Sequence, residues 1–387
     1  MQAHPKLLHI CSYSWETGGP SSFIYNHSKF QVSKGVRIDI ASAMYPWQNT
    51  YDVPEGVVLH EFPKSFFSRF ISEFSWSMIR WFLKHRNHYD VIHVHGLWHF
   101  GSILPFLIPS KAKKVVTIHG FLDSYVMQQS GIVKKMFWVL FQKRLLRKAD
   151  KLHAMNEEEY DLLINLFPKK SSAIELIGNG IEDPLNKTYG TPNSSFVQQI
   201  EQFIDSSKQV FLFLSRKSAK KGIDLLLAAF AEMSKNPDWN GQLILAGPAD
   251  DYSKEITSFI AQNPSLQILE LPLVSGAEKD YLYKKSTYVV LPSYSEGFSI
   301  AALEALAYGK CCLLSNRIGF SQLVEKEQAA LIFEPTYPKL LQQFKKVSAE
   351  NFDANGLQQS ARKLYLDNFQ SLDISNKLYH FIFVTNM

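Results

Sequence analysis

Cysteine is scarce in this sequence: Cys11, Cys311 and Cys312 are the only three in 387 residues. They form no Cys-x-x-Cys pair and no ligand-like cluster with histidine, which excludes the common structural zinc sites. An odd, sparse count fits a reducing cytoplasm. No run reaches the roughly 20 apolar residues that span a bilayer, and residues 1–6 lack the charged and apolar regions of a signal peptide. The expectation is a cytoplasmic protein that touches a membrane only at its surface. Charge of one sign is also in short supply. The formal balance is +5, without the basic stripe or tail of a nucleic-acid binder, so charge implies no more than a mild preference for anionic partners. There is no internal repeat, no low-complexity tract and no Gly-x-Gly-x-x-Gly. What remains is an ordinary globular composition, 46% hydrophobic and 20% charged, in a chain long enough for two cores.

Short apolar runs alternate with amphipathic helices, the pattern of parallel α/β sheets. Strands are expected at 7–13, 36–41, 91–94, 115–118, 151–155 and 173–177, the first followed by a Gly-Gly-Pro turn and a helix from about Ser21. From Asn179 to about Ser195 a polar stretch rich in Asn, Thr, Ser, Gly and Pro reads as a linker. The alternation restarts with strands at 210–214, 242–246, 266–269, 288–291 and 311–314, and with clear helices at 222–234 and 298–308. After Asn351 the pattern is helical and adds no strand. The expected domains are 1–185 and 186–369, both Rossmann-like, and a C-terminal helix of about 370–387 could pack back on the first.

Four segments carry residues suited to chemistry. In Ser293 to Gly309, Glu296 stands just before a helix whose free amides and positive dipole end point the same way. Glu304 is the only charge on that otherwise small and apolar helix. A buried carboxylate needs a partner, which is either a buried Lys or Arg or a ligand. Glu296, in turn, either serves a ligand or merely complements the helix dipole. Between a strand and a helix, Arg216 suits bidentate phosphate contacts and Lys221 a point-charge contact. They sit at the strand's carboxyl end, where open α/β sheets bind ligands; a solvated basic loop is the bland alternative. Gly18 and Gly19, between the first strand and helix, allow close backbone approach to phosphate or sugar, or form a plain tight turn. His95 and His119 each follow a strand and precede a glycine. Either could reach a ligand, or be a hydrogen-bonded histidine in a βα turn.

In this order, from about Leu7 to Phe333, these residues resemble the retaining nucleotide-sugar glycosyltransferases of family 4. Glu296 and Glu304 match that family's E-x7-E signature within Pro292-Ser-Tyr-Ser-Glu-Gly-Phe. Arg216 with Lys221-Gly222 resembles its diphosphate-binding loop. Gly18-Gly19, Thr117-Ile-His119-Gly, Asn179-Gly-Ile and Leu245-Ala-Gly-Pro248 match as well. The resemblance implies the GT-B fold, two Rossmann-like α/β/α domains with parallel sheets facing across an interdomain cleft, the first on the acceptor side and the second on the donor side. It implies that Glu296 holds donor-sugar hydroxyls and that the backbone of Gly297, Phe298, Ser299 and Ile300 lines sugar and phosphate. Glu304 would accept from ribose hydroxyls, Arg216 and Lys221 would neutralise the leaving diphosphate, and His119 would sit near the transferred sugar. The backbone of Gly18 and Gly19 would approach donor phosphate or acceptor. Three departures concern packing: Gly309-Lys-Cys-Cys replaces the usual Gly-x-Pro-Val, Ala329-Ala330 replaces a glycine near the last strand, and Ser215-Arg216 replaces Gly-Arg.

Departure of a nucleoside diphosphate builds negative charge on phosphate, and fixed positive groups are the largest expected aid. Many sugar transferases use a metal held by Asp-x-Asp. This sequence has none, so Arg216, Lys221 and a helix N-terminus are expected to act without metal or other cofactor. The expected reaction is transfer from a nucleotide-diphosphate sugar to a glycan or polyprenyl-linked acceptor with retention, in cell-surface polysaccharide synthesis such as lipopolysaccharide or exopolysaccharide. Alternatives are a catalytically inactive relative that binds a nucleotide sugar or a partner transferase, and a nucleotide-sugar epimerase. Residues 65–86 and 133–148 combine aromatic and basic groups at helical spacing. Such helices either lie in a membrane interface, which would hold the protein at the inner face of the membrane, or pack their apolar faces on the first sheet.

Overall fold

A computed structural model of the chain describes residues 4–15, 19–122 and 138–384. Two compact units result, one of Met1–Gly180 with Ser371–Met387 and one of Ile181–Gln370.

The first unit holds seven parallel strands: β1 (Lys6–Ile10), β2 (Arg37–Met44), β3 (Val57–Pro63), β4 (Val91–His95), β5 (Lys113–Thr117), β6 (Lys151–Ala154) and β7 (Ile174–Leu176). Their order is β3-β2-β1-β4-β5-β6-β7, with Leu7 opposite Ile38 on one side and Val91 on the other. The inner strands are buried on both faces, as β4 is at all five positions, which is why they read as near-continuous apolar runs. Helix Ser371–Phe383 returns to this unit and packs on helix Gly19–Ser33, where His27 Nδ1 and Ser375 Oγ lie 2.8 Å apart.

The second unit repeats the plan with β8 (Gln209–Leu214), β9 (Gly241–Ala246), β10 (Ile268–Leu271), β11 (Tyr288–Leu291), β12 (Cys311–Ser315) and β13 (Leu331–Phe333). The order is β10-β9-β8-β11-β12-β13. In both sheets the order reverses beside the first strand, between β1 and β4 and between β8 and β11. The carboxyl ends at that reversal are the usual ligand position in doubly wound sheets.

Two strands, β3 and β13, are not among those expected from the sequence. Both are edges; β3 buries only Phe62, and β13 is three residues long. The helical spacing of 65–86 is also only partly realised. A 3-10 turn covers Phe66–Arg69 and a helix begins only at Trp76, capped by Ser75, and runs to His85. Of the stretch 133–148, residues 133–137 lie outside the described residues. A π-helical turn at Trp138–Gln142 leads into helix Lys143–Lys148, which buries Leu145 and Leu146.

Candidate active site

In the second unit the loops leaving β8 and β11 flank the reversal point and are joined. Tyr294 N donates to Lys220 O at 2.9 Å, and Tyr294 Oη donates to Asp224 Oδ2 at 2.6 Å. Gly222 has a left-handed φ of +68°, and a Cβ there would stand 2.1 Å from Pro292 O. Only glycine permits this approach.

The junction brings together two residues singled out from the sequence. Lys221 Nζ donates to Glu296 Oε2, with both side chains largely buried (10% and 16% exposed). The backbone of Glu296 is fixed from the other side, its N donating to Arg317 O and its O accepting from Gly319 N, both at 3.0 Å. Immediately after Gly297 and Phe298, Ser299 caps helix Ile300–Ala307 by accepting from Ala302 N. The helix therefore starts at Ile300, two residues later than its pattern suggested, and Phe298 packs beside Phe320 at 4.9 Å between ring centroids. First-turn amides lack intrahelical carbonyl partners, so an ammonium and a helix N-terminus stand together.

Glu304 is not a stranded carboxylate. Lys279 Nζ donates to Oε1 at 2.5 Å and Tyr283 Oη to Oε2 at 3.1 Å. Burial, then the Glu304 charge, pushes the Tyr283 phenol well above its ordinary value, so it stays a donor. Lys279 and Tyr283 went unnoticed in the sequence. Their signal is an i, i+4 pair on helix Gly276–Lys285, but nothing local says that this face meets Glu304.

Arg216 points elsewhere. Its side chain is 59% exposed and bridges Asp250 at 3.1 Å, on the loop after β9. Its neighbour Lys217 is buried on Glu270 at 2.7 Å and serves structure. Gly247, with φ +149°, lets the β9 loop pass Ser215, where a Cβ would meet Ser215 O at 1.9 Å.

In the first unit, Gly18 lies outside the described residues. Gly19 opens helix Gly19–Ser33, and a Cβ built on it meets no described atom within 4 Å. His119 holds a left-handed φ of +58° and ends a chain of imidazoles. His9 Nδ1 lies 2.8 Å from His95 Nε2, and His95 Nδ1 lies 3.0 Å from His119 Nε2. Burial, then neighbouring His153 and His27, pushes His119 well below its ordinary value, so it is neutral. The direction of the chain decides whether its Nδ1 offers a proton or a lone pair. His9, His93 and His95 are the one metal-like group among the described residues, with ligand atoms within 4.8 Å of one another. Within it His9 and His95 are hydrogen-bonded, and His93 Nε2 pairs with Thr117 Oγ1 at 2.7 Å.

Two doubly wound parallel sheets in one chain, with the loops after β8 and β11 joined at the reversal point of the second, are the architecture of the GT-B class. A family model described as Glycosyltransferase Family 4 matches residues 17–183, and one described as Glycosyl transferases group 1 matches residues 196–364. An uncharacterized glycosyltransferase of Methanocaldococcus jannaschii is 28% identical over 179 residues, spanning 45% of this chain and 44% of that protein. A GDP-mannose:cellobiosyl-diphosphopolyprenol alpha-mannosyltransferase of Komagataeibacter xylinus is 23% identical over 348 residues, 85% of this chain and 80% of that protein. Sucrose-phosphate synthase of Thermosynechococcus elongatus shares the fold, with a TM-score of 0.78 and 18% identity over 99% of this chain and 100% of that one. The chain is a glycosyltransferase of the GT-B type.

Proposed function

We propose that the protein transfers a sugar from a nucleotide-diphosphate sugar to a glycan or polyprenyl-linked acceptor, with retention and without a metal ion, in cell-surface polysaccharide synthesis. The observation that carries the donor half is the Lys221–Glu296 pair beside the Ser299-capped helix start at the reversal point of the second sheet. An ammonium has three N–H donors. One holds Glu296, and two are left for a diphosphate whose charge grows as the bond to the sugar breaks. Helix-end amides add to that stabilisation in a site partly withdrawn from water. Glu296, fixed through its side chain and backbone, is positioned to accept from sugar hydroxyls. Glu304 receives ribose hydroxyls when Lys279 or Tyr283 gives way or shares it. Arg216, exposed on Asp250, swings to the diphosphate. His119, neutral, hydrogen-bonds the transferred sugar.

A lipid-linked acceptor is supported by the Komagataeibacter relative, whose name specifies a diphosphopolyprenol substrate, and by one surface of the first unit. Phe66, Phe67, Phe70, Ile71 and Trp76 are 65%, 50%, 76%, 40% and 52% exposed, with Arg69 over the Phe66 ring and Arg80 and Lys84 exposed on helix Trp76–His85, whose other face buries Met78 and Phe82. Aromatic and basic groups together suit an anionic bilayer surface, here the cytoplasmic face. No helix among the described residues is long and apolar enough to cross a membrane.

The test is turnover with a panel of nucleotide sugars in EDTA, following nucleoside diphosphate release and the anomeric configuration of the product by NMR. Release that needs added magnesium, or an inverted anomer, would refute the corresponding part. Flotation with anionic and with neutral vesicles tests the surface, with binding expected only to the anionic ones.

A further inference from the structure

At the carboxyl ends of β1 and β2 the first unit presents a second group of exposed aromatics, unlike the phenylalanine patch. The segment after β1 is zipped to the segment after β2. Ser14 and Thr50 form an antiparallel bridge, Trp15 N donates to Asn49 O at 3.0 Å, and Tyr13 Oη donates to Asp52 O at 2.7 Å. Two ring pairs stand on this frame. Trp15 leans on Tyr51 at 4.2 Å. Trp47 stacks on Tyr45 at 4.5 Å with only 6° between planes.

Trp47 is 73% exposed, yet it is held from beneath. Lys64 Nζ lies 4.6 Å from the centroid of the Tyr45 ring. Gln48 Oε1 accepts from Lys64 Nζ at 3.2 Å and from Tyr45 N at 2.9 Å. Tyr45, which Lys64 also contacts, thus backs an indole that stays largely exposed. An exposed indole of this size costs water contact, and a preorganised ring loses little entropy when something lies on it.

We infer that this platform binds a neutral pyranose of the glycan acceptor, with Trp47 and Trp15 as its stacking faces. An aromatic face carries partial negative charge and meets the partly positive axial C–H groups of a pyranose, while hydroxyls at the sugar's rim find hydrogen-bonding edges. Polar side chains are at hand, since Gln48, Asn49 and Thr50 lie between Trp47 and Tyr51 in sequence. Charge separates this surface from the phenylalanine patch. Asp52 and Glu61 are bonded to this frame through Tyr13 and Thr50 and offset Lys64 and Lys29, the latter over the Tyr25 ring beside Tyr51, so no basic excess draws it to an anionic bilayer and a neutral polyhydroxylated ligand fits. Its place at the carboxyl ends of β1 and β2, the ligand edge of the sheet, fits the same assignment. The word acceptor rests on the transferase reading; the sugar-binding platform does not.

The experiment is tryptophan fluorescence and saturation-transfer NMR with cellotetraose, maltotetraose and mannotetraose, for the wild type, Trp47→Ala, Trp47→Tyr and Trp15→Ala. At least one tetrasaccharide should bind the wild type. Trp47→Ala should weaken it about tenfold, the loss expected for one aromatic stack, and Trp47→Tyr should restore most of it. All variants should keep the wild-type melting temperature and its rise with nucleoside diphosphate, so that failure at the platform is distinguishable from failure at the donor site. Binding of none of the three sugars, or equal binding by Trp47→Ala, would overturn the proposal. So would loss of vesicle flotation in Trp47→Ala, which would make the platform a lipid contact.

Discussion

Glu296 and Lys221 neutralise each other on loops that leave adjacent strands, and each is nearly buried. Removing one partner of such a pair strands the other charge and costs about 3–5 kcal/mol. Lys221→Met should therefore lower the melting temperature and, independently, cut turnover by about 10²–10³, as for loss of one donor to a developing anion. Glu296→Gln keeps the hydrogen bond and should spare stability more than activity. A Lys221→Met enzyme with near-normal turnover would remove Lys221 from the chemistry. Gly222 sets a second constraint, because a Cβ there meets Pro292 O at 2.1 Å and the left-handed φ adds strain. Gly222→Ala is expected to destabilise by about 1–3 kcal/mol or more, measured by denaturant titration, and to loosen the donor loop at the same time.

Helix Ile300–Ala307 joins the site to the core. Its apolar residues are buried on the sheet, its cap Ser299 fixes where the amides stand, and Glu304 anchors its last turn to Lys279. Ser299→Ala should cost about 1 kcal/mol and weaken donor binding more than a cap lost at a remote helix, which isothermal titration would resolve. Elements of this kind were legible in the sequence because burial on both faces leaves short apolar runs between polar breaks. The reversal-point loops were legible too, through Arg216, Lys221 and Glu296. The edges β3 and β13 were not, since a half-exposed strand and a three-residue strand leave no such run. Nor was the partner of Glu304, because a contact between two helices distant in sequence has no local signature. The orientation of Arg216 toward Asp250 is likewise a tertiary fact.

Across the whole molecule, histidine is distributed unevenly: all 12 fall in residues 4–153 or at 380, and Ile181–Gln370 has none. Burial drives His9 and His27 down to about 3 and His153 to about 4, and His93 and His95 shift the same way. His99 shifts upward although burial opposes it, because Glu73 lies 3.0 Å away. The unfolded chain takes up protons at histidines near pH 6.5, whereas folded His9, His27 and His153 do so only near pH 3–4. Their stability is fully present above pH 6.5 and is lost as pH falls below it, by up to about 1.4 kcal/mol per pH unit for each group. Pulse proteolysis from about pH 7.5 down to about pH 5 should open the first unit while the second resists. A second unit that opens first would contradict this assignment.

The central claim is that the second unit binds a nucleotide-diphosphate sugar through Lys221, Glu296 and the capped helix, with no metal. A thermal-shift panel of UDP, GDP, ADP and CMP in EDTA measures this directly, because a ligand of the native state raises the midpoint by mass action. One nucleoside diphosphate should raise it, and Lys221→Met should abolish the rise. No rise with any of them, or a rise that appears only with magnesium, would contradict the account.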